Sequence, residues 1–198
     1  MIAKRIFDVI ASAFGLVVLT PLFIAIAISI KWDSSGPIFF RQERVGRFGK
    51  SFRIHKFRTM FVDAERQGLQ ITVGADPRVT RVGGFLRKYK LDELAQLLDV
   101  LIGSMSFVGP RPEVPAYVAC YPVDVGQVIL SVRPGITDRA SIEYKDESDI
   151  LAQASDPHKA YIEEVLPVKI EYYLDYVKNR SFFGDICIIF STMLAIMR

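Results

Sequence analysis

The chain has 198 residues, a length suited to one domain, and 51% of them are apolar, with a mean hydropathy of +0.26. That apolar content is high for a water-soluble domain and implies contact with a membrane. Its two cysteines, Cys120 and Cys187, lie far apart and only His55 and His158 could join them, which excludes a structural zinc site of ordinary spacing and suits reduced thiols facing a cytosol.

In chain order, the first element is Val9 to Ile30, 22 residues without a charge, long enough for a membrane span. Three readings fit it. A cleaved signal peptide would use Lys4 and Arg5 as its basic region and Ala25-Ile26-Ala27 as its cleavage site, but the run stays apolar past that point. A straight spanning helix would carry its basic residues mainly on one flank, whereas Lys4 and Arg5 precede the run and Lys31, Arg41, Arg44 and Arg47 follow it. A helix bent at Pro21 would return to the side it entered, because proline removes a backbone donor and clashes with the preceding turn. Each half would be about 15 to 18 Å long, too short for a hydrocarbon core of roughly 30 Å. Thr20 could hydrogen-bond a carbonyl freed at the bend. The residues alone leave the spanning and bent helices evenly matched.

The next stretch, Gly36 to Met60, is expected to form two short strands, Ile38 to Arg44 and Ser51 to Phe57, around a turn containing Gly46 and Gly49. Its cations Arg41, Arg44, Arg47, Lys50, Arg53, Lys56 and Arg58 suit anionic headgroups, a substrate phosphate or nucleic acid. Taken singly, each reads best as part of a solvated basic face. Gly74 to Lys90 reads as a turn-rich link. The small net charge of +3 hides an uneven distribution: Lys31 to Arg58 holds eight Lys and Arg, and Ser141 to Asp175 holds nine Asp and Glu.

In "LRKYKLDEL", Leu86 to Leu94, the cations Arg87, Lys88 and Lys90 stand directly before Asp92 and Glu93. Leu91, Leu94, Leu97, Leu98 and Leu101 follow helical spacing and leave Asp92, Gln96 and Asp99 along another face. Acids in a first helical turn ordinarily just stabilise the macrodipole. Here free N–H groups, a positive dipole and three cations would form a phosphate site in which a carboxylate can hold Mg²⁺ or attack phosphorus. Downstream, Pro110 and Pro112 fix the backbone around Arg111, and Pro134 follows Arg133. Planar, forked guanidinium donors suit the paired oxygens of a diphosphate.

The segments "KRIFD" (Lys4 to Asp8), "KFRTM" (Lys56 to Met60), "LDELAQLLDVLIGSMSFVGPRP" (Leu91 to Pro112) and "RPGIT" (Arg133 to Thr137) together resemble the monotopic phosphoglycosyl transferases of bacterial glycan assembly. The likeness spans nearly the whole chain. It implies transfer of a sugar 1-phosphate from a UDP-sugar to undecaprenyl phosphate with release of UMP and Mg²⁺ as cofactor. It further implies Asp92 as nucleophile and metal neighbour, Glu93 as its partner in a dyad, and a re-entrant first helix that favours the bend at Thr20 and Pro21. Arg111 and Arg133, with Arg87 and Lys56 in support, would hold phosphate oxygens. At this length the chain is like the minimal catalytic form of that family. After "RPGIT" it departs from the common pattern, with Asp138 where many members have Gly, and that leaves the sugar open.

The expected fold is α+β, a mainly helical membrane-associated domain with an N-terminal re-entrant helix (1–33), a catalytic region (34–180) holding a small β-hairpin, and an interfacial or core-packing helix (181–198). The expected location is the cytoplasmic leaflet of a bacterial inner membrane, with membrane lipid but no nucleic acid as partner and a homo-oligomer compatible with the reading. The rival reading is a membrane-anchored polyanion-binding protein in which Asp92 and Glu93 merely cap a helix.

Overall fold

The computed structural model describes residues 2–64, 72–74 and 76–197. Two apolar helices come first, α1 (Ile2–Val18) and α2 (Thr20–Asp33), and they meet at a 61° bend. Pro21 lies in the first turn of α2, where a missing N–H is tolerated, and Thr20 Oγ1 donates to the Leu16 carbonyl in the last turn of α1 at 2.8 Å. Among the described residues no single helix is long and apolar enough to cross a membrane.

Helix α1 is inverted relative to a helix on a water-soluble domain. Its polar residues Asp8 and Ser12 are buried, whereas Ile6, Ile10, Phe14 and Val17 point outward. Helix α2 presents Ile24, Ile28 and Trp32 to the outside and buries Ile26 and Ile30 against Phe57, Leu86 and Ala95.

Strands β1 (Phe39–Val45) and β2 (Ser51–Phe57) pair antiparallel, with Phe39 opposite Phe57 and Val45 opposite Ser51. The supposed turn-rich link contains a helix, α3 (Arg81–Lys88), capped by Thr80, which accepts the Gly83 N–H at 3.0 Å. Two adjacent glycines hide this helix from a propensity reading. Only one of them is required: a Cβ on Gly83 would lie 2.0 Å from the Thr59 carbonyl oxygen, whereas one on Gly84 would meet nothing within 4 Å.

Leu91–Gln96 is a tight 3₁₀ helix that runs into α4 (Leu97–Ile102). Asp92, Gln96 and Asp99, the polar face opposite most of the leucine stripe, are buried. Asp99 explains part of this, since its carboxylate accepts the backbone N–H of His55 and contacts His55 Nδ1, both at 2.8 Å, pinning α4 to β2.

Beyond α4 come β3 (Ser106–Val108), α5 (Pro115–Val118), α6 (Val123–Ile129) and β4 (Gly135–Thr137). The two short strands pair in parallel and bring the "VGPRP" and "RPGIT" segments together so closely that a Cβ on Gly135 would stand 2.2 Å from Gly109 N. Then follow α7 (Arg139–Glu143), α8 (Glu147–Ala152), α9 (Pro157–Ala160), a π turn (Tyr161–Val165) and α10 (Leu166–Asn179). They close over a tyrosine-rich core of Tyr117, Tyr121, Tyr161 and Tyr173. Helix α11 (Phe182–Met197) buries Asp185 and Ile188 and leaves Phe183, Phe190 and Leu194 exposed. The architecture is α+β and mainly helical, with two two-stranded sheets among the described residues.

The adjacent glycines of α3 give a direct test of this packing. Gly83→Ala should destabilise the fold by about 1–3 kcal/mol through backbone overpacking, while Gly84→Ala should stabilise it by about 0.5–1 kcal/mol through helix propensity. Thermal denaturation of the two detergent-solubilised variants followed by circular dichroism should shift in opposite directions, and shifts of the same sign would contradict the close approach at Thr59.

Candidate active site

Lys90 is the residue that sets up the site, because its left-handed backbone (φ 54°) ends α3 and turns the chain into the 3₁₀ helix. The turn places Asp92 and Glu93 side by side between α3, β2 and the proline-framed loop after β3, with opposite electrostatic fates. Glu93 accepts from Lys56 Nζ at 2.8 Å and from Arg111 Nη2 at 2.5 Å and Nη1 at 3.3 Å. Burial opposes its ionisation, but the Arg111 and Lys56 cations win and hold Glu93 well below the usual carboxylate range. Asp92 is only 8% exposed, yet among the described residues its carboxylate takes part in no hydrogen bond or salt bridge. Burial pushes Asp92 upward, the Glu93 charge adds to that, and Lys56 and Arg87 pull the other way.

Each cation of the site is held by its own piece of chain. Lys56 comes from β2 and is half-buried, so burial lowers its affinity for a proton while Glu93 restores part of it. Arg111 projects from a loop whose flanking carbonyls are both engaged: Pro110 O accepts the Gly135 N–H at 2.9 Å and Pro112 O accepts Arg44 Nη1 at 3.0 Å. Glu93 raises the Arg111 pKa well above its ordinary value, so this guanidinium is permanently charged. Arg87, on the last turn of α3, donates through Nη2 to Thr72 Oγ1 at 2.6 Å. Its Nη1 is buried without a partner, a spare donor in the field of Asp92.

Asp92, Glu93, Lys56, Arg87 and Arg111 are thus gathered as the sequence suggests, and Thr20 and Pro21 lie at the bend. Arg133 is not gathered with them. Its Nε donates to Gly103 O at 2.8 Å and its side chain lines a separate cleft with Lys4, Arg47 and Arg180. The proline after it fixes the backbone differently, since the Pro134 carbonyl is taken by the Ser106 N–H at 2.9 Å.

Sequence reasoning missed two groups. Arg44, read as part of a solvated face, is half-buried near Arg111, where it donates to Pro112 O and Gln42 Oε1 and leaves its buried Nε unpartnered. Its signal was the alternation of β1, which puts Arg44 on the inward face. The other is the "KRIFD" cluster. Lys4 Nζ donates to Val108 O at 3.0 Å and pairs with Asp185 at 2.5 Å, Arg5 donates to the carbonyls of Val100 and Leu101 at 2.6 and 3.0 Å, and Asp8 accepts the Phe107 N–H at 3.3 Å. Arg5 thereby caps the C-terminal end of α4, the continuation of the dyad's own helix.

Asp138, which departs from the commoner glycine, is a buried N-cap of α7, accepting from Ser141 N at 3.0 Å and Ser141 Oγ at 2.7 Å. Among the described residues no three His, Cys, Asp or Glu side chains converge as a metal cage. Asp92 offers one free carboxylate, which fits the way Mg²⁺ is held by one or two carboxylates together with substrate phosphates and water.

Comparison with known proteins agrees with this geometry. The profile of the family described as "Bacterial sugar transferase" matches residues 1–198. The chain is 37% identical over 196 residues to the UDP-N-acetylgalactosamine-undecaprenyl-phosphate N-acetylgalactosaminephosphotransferase of Aeromonas hydrophila, covering 98% of this chain and 43% of that protein. It is 37% identical over 193 residues to the UDP-glucose:undecaprenyl-phosphate glucose-1-phosphate transferase of Escherichia coli K12, covering 96% and 39%. The chain therefore spans less than half the length of these two relatives. Against the exopolysaccharide production protein PSS of Rhizobium leguminosarum it is 35% identical over 209 residues, covering 98% of this chain and 95% of that one. A family profile matched from end to end, over a fold that gathers the dyad with its surrounding cations, shows that this chain belongs to the bacterial sugar transferase family.

Proposed function

We propose that this chain transfers a sugar 1-phosphate from a UDP-sugar to undecaprenyl phosphate at the cytoplasmic face of a bacterial inner membrane, as a membrane step of polysaccharide assembly. The observation that carries the reading is the unpartnered Asp92 carboxylate set among Lys56, Arg87 and Arg111. The names of the relatives, which act on UDP-sugars and undecaprenyl phosphate, support it.

Asp92 is the nucleophile in this reading. One of its oxygens attacks the sugar-bearing phosphorus of the UDP-sugar, the bond from that phosphorus to the bridging oxygen breaks, and UMP leaves with the electron pair. The acceptor's phosphate oxygen then attacks the same phosphorus and frees Asp92. Glu93 is a positioning residue, because its carboxylate is already committed to holding Lys56 and Arg111. The spare Nη1 of Arg87 and the outer donors of Arg111 meet the equatorial oxygens, where charge accumulates. Mg²⁺, held by Asp92 and the diphosphate, would offset the negative charge on departing UMP.

Support for the membrane setting comes from the inverted α1 and the 61° bend, which suit a hairpin-like pair that enters one leaflet and returns. An aspartyl intermediate also lets a water-soluble donor and a lipid acceptor react in turn at one interfacial site.

Purified chain with Mg²⁺ and a UDP-sugar panel, without acceptor, should release about one UMP per active site and stall. Asp92→Asn should abolish that burst. Glu93→Gln should keep its amplitude while slowing it by about tenfold or more, since it unpairs two half-buried cations. A full burst from Asp92→Asn would refute the nucleophile, and no UMP from any UDP-sugar, together with salt-sensitive polyanion binding, would favour the binding-protein reading.

Topology has its own test. With the exposed thiols Cys120 and Cys187 replaced by serine, single cysteines at the exposed positions Ile2, near Lys4, and Trp32 should both react with an impermeant maleimide from the cytoplasmic side of inverted vesicles. Reaction from opposite sides would mean that the bent pair crosses the membrane.

A further inference from the structure

A cleft of about 360 Å³ lies at the start of α1, between β3, the segment before β4 and the end of α10, and the reaction above makes no use of it. Its lining carries Lys4, Arg5, Arg47, Arg133 and Arg180 against the single carboxylate of Asp8, and Asp185 is paired with Lys4 beside it. Arg5 and Lys4 are occupied by carbonyls and by Asp185, as described above. The three other arginines keep donors in reserve. Arg47 and Arg133 each spend only Nε, on Ser131 O and Gly103 O, and Arg180 has no hydrogen bond or ion pair among the described residues.

Two further features point to an anion. Ser106 is 1% exposed and lines the cleft, yet its Oγ finds no hydrogen-bond partner, an arrangement that costs free energy unless a ligand supplies one. The first turn of the 17-residue α1 also borders the cleft and contributes the positive end of its dipole. From the same rim the exposed apolar residues Ile2, Ile6 and Ile10 run along the outer face of α1, where an acyl chain would lie beside a headgroup held in the cleft.

We propose that this cleft is a phosphate-oxyanion site occupied by the headgroup of an anionic phospholipid, separate from the Asp92 site. The forked donors of Arg133, Arg47 and Arg180 hold the phosphodiester oxygens and the Ser106 hydroxyl donates to one of them. This site stands whether or not the chain transfers a sugar phosphate, because its test involves no turnover.

Native mass spectrometry of the full chain in detergent, titrated with phosphatidylglycerol or phosphatidylcholine, reads occupancy directly. One phosphatidylglycerol should be retained in preference to phosphatidylcholine. Arg47 and Arg180 are exposed and can be replaced without disturbing the core. Alanine at each should weaken retention about fivefold, and the double variant about 25-fold. Ser106→Ala should weaken it further while Ser106→Thr, which keeps the hydroxyl, restores part of the loss. A Lys50→Ala, Arg53→Ala variant controls for general charge, since both residues are exposed on the hairpin outside the cleft. Equal retention of the two lipids, parent-like retention by the double variant, or an equal loss in the hairpin control would each overturn the proposal. Displacement of the lipid by millimolar inorganic phosphate would keep the oxyanion site but overturn the phospholipid as its occupant.

Discussion

The half-buried ion triad of Glu93 with Lys56 and Arg111 is the interaction on which the site depends. Its members come from a 3₁₀ helix, a β-strand and a proline-framed loop, so none can find the others until the fold is complete. Taking three charges part-way out of water is costly, and the attraction among them offsets that cost best when all three are present with good geometry. The arrangement has a chemical consequence next door. Because Glu93 absorbs the direct contacts of both cations, Asp92 is left surrounded by positive charge but unbonded, and a carboxylate in that condition keeps its lone pairs for an electrophile or a metal. On the proposed function, one acid of the pair would organise the site so that the other could react.

A second set of polar contacts relates that site to the apolar exterior. Lys4, Arg5 and Asp8 are turned inward from α1 and reach β3, α4 and α11, while the opposite face of the same helix is apolar and exposed. Tyr176 completes the clamp by donating to both Val108 O and Asp185 at 3.0 Å. Since Arg5 caps the end of α4, the outward face of α1 has a fixed position relative to the dyad, one helix length away. On the proposed function, this rigid coupling would set the depth at which a lipid-borne substrate meets Asp92, a role for the strongly polar residues at the head of an otherwise apolar segment.

Much of this was legible in the sequence wherever local chemistry decides the outcome. The hairpin followed from two short runs around a glycine-containing turn, and its observed strands differ from the expected ones by a single residue at each end of β1. Pro21 marked the bend, and adjacent Asp92 and Glu93 among cations marked the site. Tertiary context defeated the rest. Helix α3 was hidden because Gly83 exists for a backbone contact with Thr59, a partner more than twenty positions away that no local pattern reports. Arg133 shares the Arg-Pro motif of Arg111, but motif chemistry fixes a backbone and says nothing of the direction in which a long side chain leaves it. Periodicity placed Asp92, Gln96 and Asp99 on a face apart from the leucines but could not show that His55 and Lys56 wait on the strand opposite.

The stretch after β4 is tied to the loop that carries Arg111 through a series of polar contacts. Asp138 caps α7 from a buried position and lies in the field of Arg111 and Lys169, with burial raising its pKa and Ser141 opposing that rise. Lys169 is itself buried, pairs with Glu147 and sits 5.0 Å from the Tyr161 ring centroid, and Tyr161 donates to Glu113 at 2.9 Å. Glu113 in turn lies 4.0 Å from Arg44, which holds the Pro112 carbonyl beside Arg111. These contacts lead from α7 and α8 to Pro112, on the loop that carries Arg111. Neither Asp92, Glu93 nor Lys56 takes part in these contacts, which meet the triad through the backbone beside Arg111. On the proposed function, changes after the "RPGIT" segment would therefore act on the Arg111 loop through Pro112 while leaving the pairing of Lys56 with Glu93 untouched.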